Sequence, residues 1–205
     1  GAAVAHLSLD HVVVTSVDRD DLPDGGAAAF AATIHAIRRA APNCAIEVLV
    51  PDFSGHTCDV ETVLNAEPNI LNHNIETVAR LYRTARPGGR YDRALNLLDH
   101  AQRYRPKVPT KSGLMVGLGE EPSEVEATLA DLRKAGCNIV TIGQYLRPSA
   151  AHLPVSRYYT PEEFRDFASV ARRLGFGHVE AGPLVRSSYH AHEQSAAFNR
   201  AGSSL

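Results

Sequence analysis

Two rhythms of hydrophobic and polar positions alternate along the chain. Short apolar stretches, rich in β-branched residues, read as strands over 9–17, 46–50, 70–76, 114–118, 138–146 and 178–184. Between them, apolar residues recur at helical spacing. Phe30, Ile34 and Ile37 stripe a helix over 25–41, and Val60, Val63 and Leu64 stripe a shorter one over 59–66. Helices over 78–86 and 91–104 are parted by Pro87-Gly88-Gly89. Val125, Leu129 and Leu132 mark the next helix, which ends at Gly136; a last one runs from Pro161 to Leu174. Asp24, Ser123 and Thr160 are the expected N-caps, with Glu126 and Glu163 three residues beyond the last two.

This strand–helix alternation predicts an α/β fold. Parallel strands joined by right-handed crossovers would form either a partial (β/α) barrel or an open doubly wound sheet. In both, ligands bind at the carboxyl ends of the strands. The polar segments 15–26, 51–56, 74–76, 117–121, 144–149 and 185–190 fall at those ends. Residues 193–205 read as a polar tail.

Side-chain alternation sharpens the picture around the fourth strand. Ser112, Leu114, Val116 and Leu118 share one face, which suits packing under helices. Lys111, Gly113, Met115 and Gly117 share the other, a face that lines a space rather than filling it. On the third strand Asn72, Asn74 and Glu76 form a polar row, although a parallel strand is usually apolar on both faces. Such a row is either a satisfied hydrogen-bond network or a ligand contact. His73 falls on the opposite face and reads as a packed or surface histidine rather than a ligand.

Composition narrows the classes. A chain of 205 residues suffices for one sizeable core, and a formal charge of -2 provides no field for nucleic acid or a membrane surface. No apolar run is long enough to span a bilayer. The three cysteines, Cys44, Cys58 and Cys137, have neither disulfide-framework nor zinc spacing. The chain starts at Gly1 without an initiator Met and is read as part of a longer protein. Arginines at 80, 83, 86, 90, 93, 103 and 105 form either a solvated face or a docking face for an acidic partner. GxGxxG, P-loop and GxSxG motifs are absent. From the residues alone two functions stay open: a metal-free lyase or aldolase barrel with Lys111 as a Schiff-base amine, or a catalytically silent module that docks an acidic partner through the Arg80–Arg105 face.

A third reading comes from resemblance. Thr15 to Gly26 (TSVDRDDLPDGG), Val50 to Phe53 (VPDF), Asn72 to Thr77 (NHNIET), Thr110 to Glu120 (TKSGLMVGLGE), Gly143 to Ser149 (GQYLRPS) and Gly182 to Ala191 (GPLVRSSYHA) resemble blocks of lipoyl synthase. That family belongs to the radical S-adenosylmethionine enzymes, and the resemblance spans residues 8 to 192. It implies a partial (β/α) barrel over residues 1–192, incomplete at its N-terminus. It also implies two 4Fe–4S clusters in the complete protein, S-adenosylmethionine, and insertion of two sulfur atoms into an octanoyl chain on a carrier-domain lysine. The implied carriers are the lipoyl domains of 2-oxoacid dehydrogenases or the glycine cleavage H protein. The implied location is the bacterial cytoplasm, with mitochondria and plastids left open.

By resemblance, Asn74, Glu76, Lys111, Ser112, Gln144 and Leu146 are candidate cofactor-site residues. Ser188 is the expected ligand of the auxiliary cluster, and Arg186 orients the serine pair or closes over substrate. The cysteine triplets of the family, CxxxCxxC and CxxxxCxxxxxC, do not occur in this sequence. Because iron–sulfur clusters need several thiolates, the chain by itself is expected to be inactive in sulfur insertion.

Overall fold

The structure is a computed structural model that describes residues 1–188. It contains a six-stranded, wholly parallel sheet in the order β1-β2-β3-β4-β5-β6. The strands are His11–Thr15 (β1), Ala45–Leu49 (β2), Ile70–Asn72 (β3), Thr110–Val116 (β4), Ile139–Gln144 (β5) and His178–Gly182 (β6). Helices Ala27–Ala40 (α2), Thr57–Asn65 (α3), Tyr91–Tyr104 (α5), Pro122–Lys134 (α6) and Pro161–Arg173 (α7) connect them, so the predicted partial (β/α) barrel is present. Two short helices complete the fold: Ala2–His6 (α1) and Tyr82–Ala85 (α4), the latter preceded by a 3-10 turn over Ala79–Leu81. The expected 193–205 tail and Tyr189 to Ala191 lie outside the described residues.

Register divides the sheet into two faces. Leu49 pairs with Asn72, Asn72 with Lys111, and Gly113 with Thr141, so Glu47, Asn72, Lys111, Gly113, Thr141 and Gly143 share the inner face. Val48, Leu71, Leu114, Val140 and Ile142 occupy the outer face and join the core beneath the helices. The stripes Phe30/Ile34/Ile37 of α2, Val60/Val63/Leu64 of α3 and Val125/Leu129/Leu132 of α6 close over that face as their spacing predicts.

Several boundaries differ from expectation, each for a local reason. The alanine-rich residues before the first strand form α1, which packs on α2. Helix α6 is capped by Glu121, not Ser123. Pro122 occupies the first helical position, where no N–H is needed, and the Glu124 carboxylate accepts the Glu121 N–H at 2.8 Å. Asp24 caps α2 from two residues ahead, accepting the N–H groups of Gly26 and Ala28 at 2.9 Å each. Thr160 and Glu163 form the expected capping box. Strand β3 stops at Asn72, four residues short of expectation. There the Ser112 hydroxyl accepts the Ile75 N–H at 2.9 Å and draws the chain off the ladder.

Candidate functional site

The departure of the chain after β3 builds the site. Glu76 returns to β4 as an isolated bridge: its N–H donates to Gly113 O at 2.9 Å and its carbonyl accepts the Met115 N–H at 2.8 Å. The turn between forces Glu76 to φ 67°, the left-handed region that a residue with a Cβ adopts only when its surroundings impose it. Asn74 lies over Gly113, and its Nδ2 donates to Glu76 Oε1 at 3.1 Å. Asn74 Oδ1 is buried without a partner among the described residues. A Cβ at position 113 would sit 2.7 Å from that oxygen, so glycine there keeps the cradle open.

Asn74, Glu76, Gly113, Met115, Gly143 and Arg186 line a cavity of about 160 Å³ at the carboxyl ends of β3 to β5. Burial pushes the Glu76 carboxyl above the usual range, against the Asn74 hydrogen bond and the Arg86 charge. The site therefore offers an unsatisfied acceptor at Asn74 Oδ1 beside the Glu76 carboxyl, while Arg186 adds donors to the lining. Such a site suits the ammonium or hydroxyl donors of a ligand.

Lys111 lies below this cradle. Its ammonium is fully buried, 3.0 Å from Glu47 Oε1 and 3.1 Å from Oε2, and Asn72 Nδ2 donates to the same carboxylate at 2.8 Å. Burial lowers the lysine pKa and Glu47 opposes the shift. The expected inward orientation is present, yet the amine is held in an ion pair under the site. This placement does not favour a Schiff-base role. Glu47 was not among the residues the sequence singled out; its signal was a charged residue in the middle of an apolar strand, facing an inward lysine.

The remaining candidates are dispersed. Ser112 faces the helices and is engaged with Ile75. Gln144 holds the 145–159 segment, donating to Tyr145 O and Arg157 O and accepting the Tyr159 N–H. Leu146 is 46% exposed. Arg186 lies across Gly143 and donates to Val185 O at 2.6 Å; a Cβ at 143 would collide with that carbonyl. Ser188 is exposed beside it in sequence. The arginine run is not a continuous unpaired face: Arg80 pairs with Glu124, Arg90 with Asp92, Arg93 with Asp52 and Arg103 with Asp99.

A larger cavity, about 500 Å³, opens beside the cradle between the loops around 18–25, 51–56 and 86–93. A third, of about 160 Å³, shares Arg86, Asp18 and Pro51 with it and shares Asn74 and Glu76 with the cradle. His73 lines this connecting space. It is 1% exposed, and its Nδ1 lies 2.9 Å from Val50 O, which fixes that nitrogen as the donor. Its Nε2 is buried without a partner among the described residues. His73 is thus packed, one of its two expected placements, but also borders the site.

The sequence profile of the Radical SAM superfamily matches residues 2–132. The chain belongs to the radical SAM superfamily. It is 58% identical over 192 residues to the lipoyl synthase of Rubrobacter xylanophilus, a match that covers 94% of this chain and 60% of that one. It is 56% identical to the lipoyl synthase of a Roseiflexus species, covering 93% and 64% respectively. The chain thus spans about 60% of the length of these relatives. Among solved structures, methylornithine synthase superposes with a TM-score of 0.63 at 12% identity, covering 98% of this chain and 71% of that one, which supports the fold.

Superfamily membership implies S-adenosylmethionine and an iron–sulfur cluster. The acceptor-rich cradle at Asn74, Glu76 and Gly113 fits the former. The cysteines do not fit the latter. Cys44 and Cys137 are buried just before β2 and β5, at the opposite ends of the strands from the cradle, whereas Cys58 is exposed on α3. Burial pushes the Cys44 thiol up, and that of Cys137 up to about 12. Thiols held protonated in this way are poor iron ligands. No group of metal-ligating side chains converges among the described residues.

Proposed function

We propose that this chain forms the S-adenosylmethionine- and substrate-binding walls of a lipoyl synthase-like sulfurtransferase. The single observation that carries the proposal is the unpartnered Asn74 Oδ1, buried over Gly113 beside the Glu76 carboxylate. Given one electron by a 4Fe–4S cluster held outside this chain's described residues, bound S-adenosylmethionine would lose its sulfonium as a thioether and supply a carbon radical able to take hydrogen atoms from unactivated carbons. Asn74 Oδ1 and Glu76 would accept hydrogen bonds from its ribose hydroxyls or its ammonium. Gly113 and Gly143 leave the room that Asn74 Oδ1 and Val185 O occupy in the cradle wall, and Arg186 lines the same cavity. Similarity to the lipoyl synthases supports an octanoyl-lysine substrate on a lipoyl carrier domain. Ser188, exposed beyond β6, is available to a group above the barrel mouth, and no step is assigned to it. A Lys111 Schiff base is disfavoured by its buried pairing with Glu47.

Calorimetric titration with S-adenosylhomocysteine tests the binding claim without any cluster. The parent chain is expected to bind. Gly113→Ala, whose methyl would meet Asn74 Oδ1, is expected to weaken binding at least tenfold while the far-UV spectrum is retained. Equal affinity in both proteins, or no binding by the parent, overturns the assignment.

A further inference from the structure

We propose that the 500 Å³ cavity is a docking site for an acidic peptide, and that Arg86 is its carboxylate-binding residue. This inference rests on the octanoyl-lysine reading above and names the chemistry that flanks that lysine. Arg86 is half-buried, and its Nη1 donates to Asn74 O at 2.9 Å and to Tyr82 OH at 3.3 Å. Both partners are neutral, and no ion pair joins Arg86 to a carboxylate among the described residues. A guanidinium carries five donors in a fork that matches a carboxylate. The Nε and Nη2 donors of Arg86 have no partner among the described residues.

The neighbouring cations are already matched, whereas Arg86 meets a carboxylate only at longer range, in Glu76. Arg93 pairs with Asp52 at 3.1 Å, and Arg19 with Asp21 at 2.7 Å. Asp52 also accepts the Ser54 N–H at 3.0 Å. Arg86 is therefore the cation on this wall left to a ligand. Asp18 and Asp20 also line the cavity, and Asp18 lines the connecting space with Arg86, so attraction for a carboxylate is confined to the open edge of the Arg86 guanidinium.

The walls are built for an extended chain. Pro23, Pro51, Pro87, Gly25, Gly88 and Gly89 contribute surfaces without long side chains. Phe53 and Ser54 hold left-handed φ values of 47° and 52°, a turn fixed by the Asp52 cap and by Phe53 packing under Gly25. Gly89 makes room for the arginine, since a Cβ there would lie 2.8 Å from Arg86 Cγ and Cδ. Only glycine lets the arginine turn inward over the backbone. Arg86 and Asp18 also line the connecting cavity, which reaches Asn74 and Glu76. A lysine-borne chain anchored at the rim has a route past Arg86 to the cofactor cradle.

Fluorescence anisotropy on the full chain tests this with a labelled peptide holding octanoyl-lysine between glutamates. Its counterpart carries glutamines instead. The acidic peptide is expected to bind at least tenfold tighter, with the gap shrinking as salt rises. Arg86→Gln and, independently, Gly89→Ala are expected to close the gap; Arg86→Gln also removes the bond to Asn74 O, whereas Gly89→Ala displaces the arginine without changing a charge. Equal binding of the two peptides by the parent overturns the proposal even if a variant fails to fold. Loss of S-adenosylhomocysteine binding in Arg86→Gln with the peptide preference intact also overturns it, because the carboxylate would then be the cofactor's. Absence of S-adenosylhomocysteine binding in the parent, with the peptide preference present, would sink the cofactor assignment and leave this one standing.

Discussion

The ammonium of Lys111 lies 3.0 Å from Oε1 of Glu47, and neither side chain reaches solvent. The pair joins β4 to β2 across β3, and Asn72 on that middle strand donates to the same carboxylate. A buried pair of this kind adds little net stability over a well-packed apolar substitute, but removing one partner leaves an uncompensated charge. Lys111→Met is therefore expected to cost about 3–5 kcal/mol in urea unfolding, as typical for a broken buried pair. The double variant Lys111→Met with Glu47→Leu should recover most of that loss. If the single variant is as stable as the parent, the two groups are not a charged pair. Borohydride trapping with carbonyl compounds should leave Lys111 unlabelled in the folded parent.

His73 gives the fold an acid sensitivity. Burial moves its pKa from 6.5 to about 4. A histidine depressed in the folded state favours folding fully above its unfolded value, and that contribution is lost as pH falls from 6.5 through 4. His73→Asn can keep a donor to Val50 O and cannot titrate. Relative to this variant, the parent should lose roughly 3 kcal/mol between about pH 7 and pH 4, from the one-unit equivalence of about 1.36 kcal/mol. Parallel stability–pH curves for the two proteins would rule out His73 as the titrating group.

Much of this was legible in the sequence because it depends on local periodicity. The strands, the stripes of α2, α3 and α6, and the inner face at Lys111 and Gly113 follow from alternation and helical spacing. The polar row Asn72, Asn74 and Glu76 was visible as an anomaly in an apolar strand, and Asn74 and Glu76 do meet over Gly113. What was not legible depends on side chains from distant segments. Gln144 looks like a wall residue until the 145–159 segment is seen folding back onto its amide. Alternation already set Ser112 on the face toward the helices, but its bond to the distant Ile75 N–H could not be read from the motif it shares with Lys111. The arginine run looks basic on paper partly because Asp52 and Glu124 pair with it from distant stretches, although Asp92 and Asp99 lie within the run itself. Glu47 carried a signal, a charge inside an apolar strand, whereas Arg86 stands out from the other arginines only by its lack of an ion pair among the described residues.

The cysteines yield a prediction about metal content. Cys44 and Cys137 lie buried near the amino ends of β2 and β5, and Cys58 lies on the surface of α3. They cannot converge without dismantling the sheet. Anaerobic treatment with iron and sulfide, followed by desalting, is expected to leave well under one 4Fe–4S cluster per chain. Whatever binds should vanish in Cys58→Ser, the variant that removes the exposed thiol. Stoichiometric iron and sulfide with a 4Fe–4S spectrum in the parent chain would show that this assignment of the cysteines is wrong.

Glu76 is where stability and binding should oppose each other. Its carboxyl is held above the usual range by burial, and its backbone sits at φ 67°. A raised carboxylate pKa means that the folded state binds the proton more tightly than the unfolded state does. The contribution to stability is then complete below the unfolded value near 4.5 and is lost as pH rises through the folded value. Glu76→Gln preserves the acceptor for Asn74 Nδ2 and the size of the side chain while removing the charge. At about pH 7 it should unfold at a higher urea concentration than the parent, and the two midpoints should approach each other below pH 4.5. Left-handed strain is common to both proteins and cancels in the comparison. The same substitution should weaken S-adenosylhomocysteine binding at least tenfold at neutral pH, because a neutral amide attracts an ammonium less than a carboxylate does. A variant that is both more stable and weaker in binding fits a residue kept for its ligand. A variant that is less stable at neutral pH would mean that the Glu76 charge is compensated within the fold, and the cradle would lose its main electrostatic attraction for a ligand cation.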